Sequence, residues 1–209
     1  MTRSRKFKRK PRPLTRSSGT RDCQTKLLVL CEGNTEARLL KDLRGDWKIR
    51  ALDIRVLGRQ GVPMTIVKKA DKLRRTHGRN RTLWPETWAV FDRDEHKCYY
   101  DAIQWAKSKD LKLAHSNPCF ELWAILLYRD QSADLHRHKA QRELKTLHPG
   151  YHHKKNPYLD FKKILDRLEI AQQRAINLDH RARDAGDPHG CPTTRFPDLL
   201  ARIESLRRE

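Results

Sequence analysis

Three acidic residues stand directly after short apolar runs of this sequence. Glu32 follows the run at residues 27–30, and Asp92 and Asp94 follow the run at residues 87–91. Only one residue separates the two aspartates, so along an extended chain their carboxylates project to the same side. Mg²⁺ or Mn²⁺ would relieve their repulsion, because hard cations bind carboxylate oxygens and substrate phosphates. The sequence therefore predicts a divalent-metal site formed by Glu32, Asp92 and Asp94.

The segment after Glu32 adds two further candidates. Glu36 lies one helical turn after Glu32 and could bind the same ion or a second one. Alternatively, it is an ordinary first-turn acid favoured by the helix dipole. The turn Gly33, Asn34 and Thr35 leads into a helix, whose free N–H groups predict a phosphate-binding site. This turn is too short and too poor in glycine for a Walker loop or a dinucleotide-binding motif.

The acids are positioned by a regular alternation of strands and helices. We expect strands at residues 27–30, 52–57, 87–91 and 111–114, with helices from about residue 34 and at residues 62–75, 99–107 and 120–128. Beyond residue 137 the chain is predicted to be mostly helical, apart from turns at residues 149–150 and 186–192. This order predicts an α/β fold with a mainly parallel sheet of about four strands flanked by helices, and a helical C-terminal part. Ligands of such sheets collect at the carboxyl ends of the strands, where the acids stand.

The net charge of the chain indicates what kind of partner it binds. The chain has 209 residues with 46 Lys+Arg and 26 Asp+Glu, a net charge of +20 that favours a polyanion such as nucleic acid. Residues 1–24 hold nine of the basic residues and one acid, which predicts a disordered basic arm that either contacts nucleic acid or raises solubility. Residues 25–209 are expected to form one domain.

The same composition argues against several other classes. No apolar run approaches the roughly 18 residues that cross a bilayer, and the start lacks a secretory signal, so we expect a cytoplasmic protein without a membrane partner. The five cysteines never form a CxxC pair, which argues against a disulfide framework or a thiolate zinc site. The histidines between residues 136 and 153 are too irregularly spaced to favour zinc.

Four motifs together resemble the RloB-like family. They are Leu30-Cys31-Glu32-Gly33-Asn34-Thr35-Glu36, Phe91-Asp92-Arg93-Asp94, Ser116-Asn117-Pro118-Cys119-Phe120-Glu121-Leu122-Trp123 and Pro192-Thr193-Thr194-Arg195. The resemblance spans about residues 26–208, and the third motif is the most specific. The family is associated with bacterial restriction and phage-defence loci, often beside an ATPase gene. It is also similar to Toprim proteins, including the nuclease half of the overcoming-lysogenisation-defect family.

The resemblance implies roles for individual residues. Glu32 takes the role of the Toprim glutamate, Asp92 and Asp94 that of the metal-binding pair, and Glu36 that of the extra acid of the nuclease-type branch. Glu121, an acid on an apolar helix, needs a partner if it is buried. That partner is either a metal ion, which the family motif favours, or a core-facing arginine.

The remaining candidates are polar and basic. Ser116 and Asn117 either orient a phosphate or cap the following helix. Lys154, in the loop His152-His153-Lys154-Lys155, is our preferred cation for stabilising a leaving oxygen, although the loop also fits a solvated basic surface. Six cations are predicted to contact nucleic acid, unless they are simply exposed faces of amphipathic helices; they are Arg93, Lys155, Arg174, Arg181, Arg183 and Arg195.

The expected activity is Mg²⁺- or Mn²⁺-dependent hydrolysis of RNA or DNA in a phage-defence or restriction context. The alternative is a non-catalytic nucleic-acid-binding or effector subunit that works with a partner ATPase. A primase- or topoisomerase-like Toprim activity ranks lower, because the chain has no obvious active-site tyrosine context and no additional polymerase domain.

Overall fold

The computed structural model describes residues 27–58, 61–75 and 86–208, and the predicted basic arm at residues 1–24 lies outside these ranges. A single 3₁₀ turn, Leu165–Arg167, joins two of the helices within the described residues. In chain order the elements are β1 Leu27–Cys31, α1 Asn34–Asp46, β2 Leu52–Val56, α2 Pro63–Arg75, β3 Glu86–Asp92, α3 Tyr99–Ser108, β4 Lys112–Asn117, α4 Glu121–Leu126, α5 Arg137–Leu147, α6 Phe161–Ile164, α7 Leu168–Asp184, β5 Thr193–Thr194 and α8 Phe196–Arg208.

The sheet has the strand order β2-β1-β3-β4-β5. The first four strands run parallel, which confirms the predicted α/β architecture with a helical C-terminal part. β5 is a fifth strand that the sequence did not predict, and it pairs antiparallel with β4 through Thr193 and Thr194. A strand of two residues is too short to show alternation, so its pairing is set by tertiary contacts.

Helices cover both faces of the sheet, and its central strands β1 and β3 are correspondingly apolar over most of their length. Every residue of β1 is buried. One face packs with α2 and α3 around Leu30 and Phe91, and the other packs with α1, α4, α7 and α8 around Val29 and Trp123. Burial on both faces explains why β1 and β3 are continuous apolar runs without polar alternation. No helix in the described residues is long and apolar enough to cross a membrane.

Successive strands of the chain are added first on one side of β1 and then on the other. From β1 the chain proceeds outward to β2, and it then returns to the other side of β1 to build β3 and β4. The loops after β1 and β3 therefore diverge in opposite directions. They leave a crevice at the carboxyl ends of these two strands. Open α/β sheets bind ligands at such a switch point.

Candidate metal centre

Glu32 and Asp92 lie side by side at this switch point. Glu32 follows the last residue of β1, and its backbone N–H donates to the Val90 carbonyl at 3.0 Å. Asp92 is the last residue of β3, and its backbone N–H donates to Oε2 of Glu32 at 3.3 Å. The neighbouring strand ends thus bring together two carboxylates that are 60 residues apart in the chain.

Asp94 reaches the same region by a turn. Its φ of 45° is left-handed, so the extended geometry expected for the Asp92–Asp94 pair is wrong beyond Asp92. Two hydrogen bonds hold this turn against the end of β4: Arg93 N–H donates to the Ser116 carbonyl and Asp94 N–H to the Pro118 carbonyl, each at 2.8 Å. Oδ2 of Asp94 lies 3.3 Å from a guanidinium nitrogen of Arg137, at the start of α5.

Glu36 lies in the first turn of α1 and is buried, with 4% of its surface exposed. Its carboxylate rests against the backbone of Gly33, where a Cβ atom would lie only 2.5 Å from Oε2 of Glu36. Gly33 has an ordinary extended conformation, with φ −98° and ψ 166°. A side chain at this position would therefore displace the Glu36 carboxylate, whereas the backbone conformation itself accepts any residue.

Replacing Gly33 by alanine should weaken divalent-metal binding without unfolding the chain. The new methyl group displaces the Glu36 carboxylate, and a comparable loss of support around metal ligands costs about 10- to 100-fold in affinity. We expect the apparent Mn²⁺ affinity, measured by calorimetric titration, to fall about tenfold. Gly45→Ala is the matched control in the same helix, because its Cβ would have no neighbour within 4 Å. Equal affinities for the two variants would contradict a role for Glu36 in this centre.

Glu121 begins α4 and is also buried, at 4% exposure. Its Oε1 accepts a hydrogen bond from the Tyr151 hydroxyl at 2.6 Å and lies 2.8 Å from Nδ1 of His153. The alternative of an arginine partner is wrong, since Tyr151 and His153 stabilise this carboxylate. Burial alone would raise the pKa of Glu121, but the hydrogen bonds from His153 and Tyr151 hold it below its ordinary value. The hydrogen bond to Glu121 in turn raises the pKa of His153, so the two groups form a charged pair.

The other four carboxylates oppose one another's ionisation. Burial, together with the charges of Glu36 and Asp94, raises the pKa of Glu32 to about 8, although the hydrogen bond from the Asp92 N–H and the charge of Arg137 oppose this rise. Burial and neighbouring acids raise the pKa of Glu36 to about 7. Asp92 has a pKa well above its ordinary value, because burial and all four other acids disfavour its charge. Burial also raises the pKa of Asp94, although Arg137 opposes this effect.

This excess of negative charge fits a hard divalent cation. Among the described residues, no three His, Cys, Asp or Glu side chains already converge as a metal-binding group. Even so, Glu32, Glu36, Asp92 and Asp94 are close enough to raise one another's pKa, and Arg137 is the cation that faces Asp94. An all-carboxylate donor set is the type that Mg²⁺ and Mn²⁺ prefer. Glu32, Asp92 and Asp94 would hold the ion, with Glu36 and Glu121 beside them.

The predicted phosphate-binding residues fall into two groups. Gly33, Asn34 and Thr35 lie at the start of α1, as predicted. Ser116 and Asn117 lie at the end of β4, so the helix-capping alternative is wrong, because α4 begins four residues after Asn117. Their side chains have protein partners: the Ser116 hydroxyl lies 2.9 Å from that of Thr194, and Asn117 donates to the His189 carbonyl. These two residues brace β4 against the segment around β5.

The structure separates the six predicted nucleic-acid contacts into engaged and exposed cations. Arg195 and Arg183 both pair with Asp179, and Arg174 donates to the Leu126 carbonyl at 2.7 Å. The guanidinium of Arg93 lies over the Tyr100 ring, at 5.6 Å from its centroid. The side chains of Lys155 and Arg181 are exposed, as is that of Lys154. Structural contacts therefore account for most of the expected basic face.

Sequence reasoning missed three residues around the centre, namely Arg137, Tyr151 and His153. Arg137 opposes the charge of Asp94, and Tyr151 and His153 together neutralise Glu121. His153 stands in the basic loop that the sequence did single out, but Lys154 was preferred there. The unusual apolar context of Glu121 was the available signal, since a buried carboxylate needs donors. It did not reveal which of the 46 cations or five tyrosines would supply them.

The match to a protein family covers the same residues. The family model described as RloB-like protein matches residues 27–203, which include every carboxylate of the centre. The chain belongs to the RloB-like family. No curated protein and no solved structure matches it.

Proposed function

We propose that this RloB-like protein is a Mg²⁺- or Mn²⁺-dependent nuclease that hydrolyses phosphodiester bonds of RNA or DNA. The observation that supports this most strongly is the group of buried and half-buried carboxylates at the β1/β3 switch point. Four acids that disfavour one another's charge cost stability unless a cation binds between them. Such an arrangement is typical of functional sites, where perturbed pKa values accumulate. The Toprim relationship, and Mg²⁺ or Mn²⁺ as the cofactor, are part of this proposal.

The residues of the centre divide into binding and proton-transfer roles. A bound divalent ion supplies electrostatic stabilisation of the scissile phosphate and lowers the pKa of a water ligand. Asp92 and Asp94 would hold the ion, and Arg137 limits the repulsion around Asp94. Glu32 would alternate between holding the ion and accepting the proton of the attacking water, and burial raises the pKa of its metal-free carboxyl to about 8.

We assign the start of α1 and the basic loop to phosphate binding. Free N–H groups at Asn34 and Thr35 suit a phosphate oxygen at the helix start. His153 contacts Glu121 directly, so its ring lies beside the carboxylates, and Lys154 is the next residue of the same loop. We assign Lys154 to stabilisation of the charge on the leaving oxygen. The net charge of +20 attracts the nucleic acid without reading its sequence.

Cleavage assays test this proposal. Purified protein is incubated with end-labelled tRNA, other RNA and DNA, in Mg²⁺, in Mn²⁺ and in a chelator. We expect cleavage of at least one substrate with metal, no cleavage in the chelator, and at least about a hundredfold slower cleavage by Asp92→Ala and Glu32→Ala, roughly 3 kcal/mol of transition-state stabilisation. Cleavage that survives both substitutions and chelation would contradict the proposal.

One observation favours a second function, that of a non-catalytic effector subunit. Asp94 and Glu121 already have protein partners, Arg137 and His153, so part of the carboxylate set is neutralised without metal. In that case the carboxylates form a structural cation site, and catalysis belongs to a partner, for which a neighbouring ATPase of a phage-defence locus is the candidate. Nucleic-acid binding without cleavage, also after addition of that ATPase with ATP, would favour this function.

A further inference from the structure

A groove runs along α5 beside the candidate metal centre. Its volume is about 350 Å³, and the loop after α5 forms its second wall. Six of the seven lining residues are basic or histidine, and the seventh is Gln141; the six are His138, Arg142, Lys145, His152, His153 and Lys154. His153 also contacts Glu121, so one end of the groove adjoins the carboxylate cluster.

The sequence places the cations of this groove on a single helix face. His138, Gln141, Arg142 and Lys145 follow the spacing i, i+3, i+4 and i+7, which aligns them along one side of α5. Arg142, Lys145 and Lys154 are exposed, and none of them forms an ion pair with the described part of the chain. The groove wall contains no acid. This contrasts with Arg174, Arg183 and Arg195, whose charges are used within the fold.

Imidazole rings form the rest of the wall. Nδ1 of His152 accepts hydrogen bonds from the backbone N–H groups of Lys154 and Lys155, at 3.3 and 3.2 Å, which fix this ring in the loop. The His138 ring is exposed and packs against His136 with 5.2 Å between centroids. Rings of this kind stack on nucleobases that are not stacked in a duplex.

We propose that this groove, which we call the α5 groove, binds single-stranded nucleic acid and leads it to the carboxylate cluster. The exposed cations Arg142, Lys145 and Lys154 contact the phosphates of the strand, and one base stacks on His138. A volume of 350 Å³ lies at the lower end of the range of small-ligand pockets, roughly 300–1,000 Å³, and suits about one nucleotide unit. The delivery of the strand to the carboxylates rests on the proposed nuclease function, whereas the binding itself does not.

Binding in a chelator separates the two proposals, because cleavage is not needed for the readout. The full chain is titrated with a fluorescent single-stranded RNA and with a DNA of the same sequence, at several salt concentrations. The triple variant Arg142→Ala, Lys145→Ala, Lys154→Ala should lose at least about tenfold in affinity. Its slope of log K against log salt should become shallower by roughly 2, since each contact with a single strand contributes about 0.7.

The matched control removes three other exposed lysines, Lys68 and Lys69 of α2 and Lys112 at the start of β4, and so has the same net charge. It should retain the wild-type slope. Equal losses in the two triple variants would overturn the proposal, because binding would then follow overall charge. If the triple variant lost affinity for the RNA but not for the DNA, or the reverse, the proposal would be supported. The result would also show whether the groove prefers ribose or deoxyribose.

The stacking part is tested at His138. His138→Ala should lose affinity for a single strand by about 1–3 kcal/mol per stacked base, roughly 5- to 150-fold, while His138→Phe should restore it. A duplex of the same length should bind more weakly than the single strand in wild type and should be insensitive to both substitutions. Duplex binding that depends on the triple variant as strongly as single-strand binding does would overturn the assignment to single strands.

Discussion

Replacing Asp92 by asparagine is expected to abolish metal-dependent cleavage and, in the same protein, to raise the stability of the metal-free fold. Activity should fall by about a thousandfold, roughly 4 kcal/mol, because a metal ligand is lost. The gain in stability has a separate cause. At neutral pH the metal-free chain must either bury the Asp92 charge among four other acids or take up a proton on folding, since its pKa lies well above the ordinary value. An asparagine side chain carries no charge and takes up no proton, and it keeps the shape of the aspartate side chain.

Thermal unfolding in a chelator measures this gain. Each kcal/mol of stabilisation raises the Tm of a domain of this size by roughly 2–4 °C, and we expect an increase of at least that amount for Asp92→Asn. Asp53→Asn is the matched control, because Asp53 is exposed on β2 and pairs with Arg55 at the surface. Its Tm should change little. A lower Tm for Asp92→Asn than for wild type would show that the ionised carboxylate stabilises the metal-free fold, which would contradict the repulsion described above.

Much of the fold could be predicted from local patterns. β1 and β3 are short apolar runs bounded by turn residues, and the helices between them have clear amphipathic spacing, so both their existence and their order were readable. Those two strands also determine the position of Glu32 and Asp92, because parallel neighbours end at the same edge of a sheet. The central part of the site therefore followed from local sequence and one rule of topology.

The remaining parts of the site depend on contacts between segments that are distant in the sequence. Asp94 joins the cluster through a left-handed turn held by the carbonyls of Ser116 and Pro118, and no spacing rule within Asp92-Arg93-Asp94 reveals those acceptors. Tyr151 reaches Glu121 across 30 residues of chain. Helix capping was one of two predicted roles for Ser116 because β4 was predicted to end at residue 114 rather than 117. Tertiary pairing with β5 extends the strand and uses the hydroxyl that capping would need.

The second large effect concerns pH and metal together. In the metal-free protein, the pKa of Glu32 is raised from about 4.5 to about 8 and that of Glu36 from about 4.5 to about 7. Between pH 4.5 and these values the folded state binds more protons than the unfolded state, so stability falls as the pH rises. Below pH 4.5 both states are protonated and this difference disappears. We therefore expect the Tm in a chelator to decrease from pH 6.5 to pH 8.

Divalent metal should reverse this trend, because it binds the ionised carboxylates and must displace protons at low pH. The increase in Tm caused by 1 mM Mn²⁺ should be several times larger at pH 8 than at pH 6.5, since stabilisation by a ligand grows as RT ln(1 + [L]/Kd) and Kd falls as protons leave. Other groups also titrate in this window, notably His153, whose raised pKa acts in the same direction. The double variant Glu32→Gln, Glu36→Gln separates the effect of these two acids from that of His153, because it removes the acids and retains the histidine. Its Tm in the chelator should vary less with pH, and Mn²⁺ should leave it almost unchanged at both pH values. If the double variant retained the pH-dependent response to Mn²⁺, the ion would be binding elsewhere and the carboxylate cluster would not be the metal site.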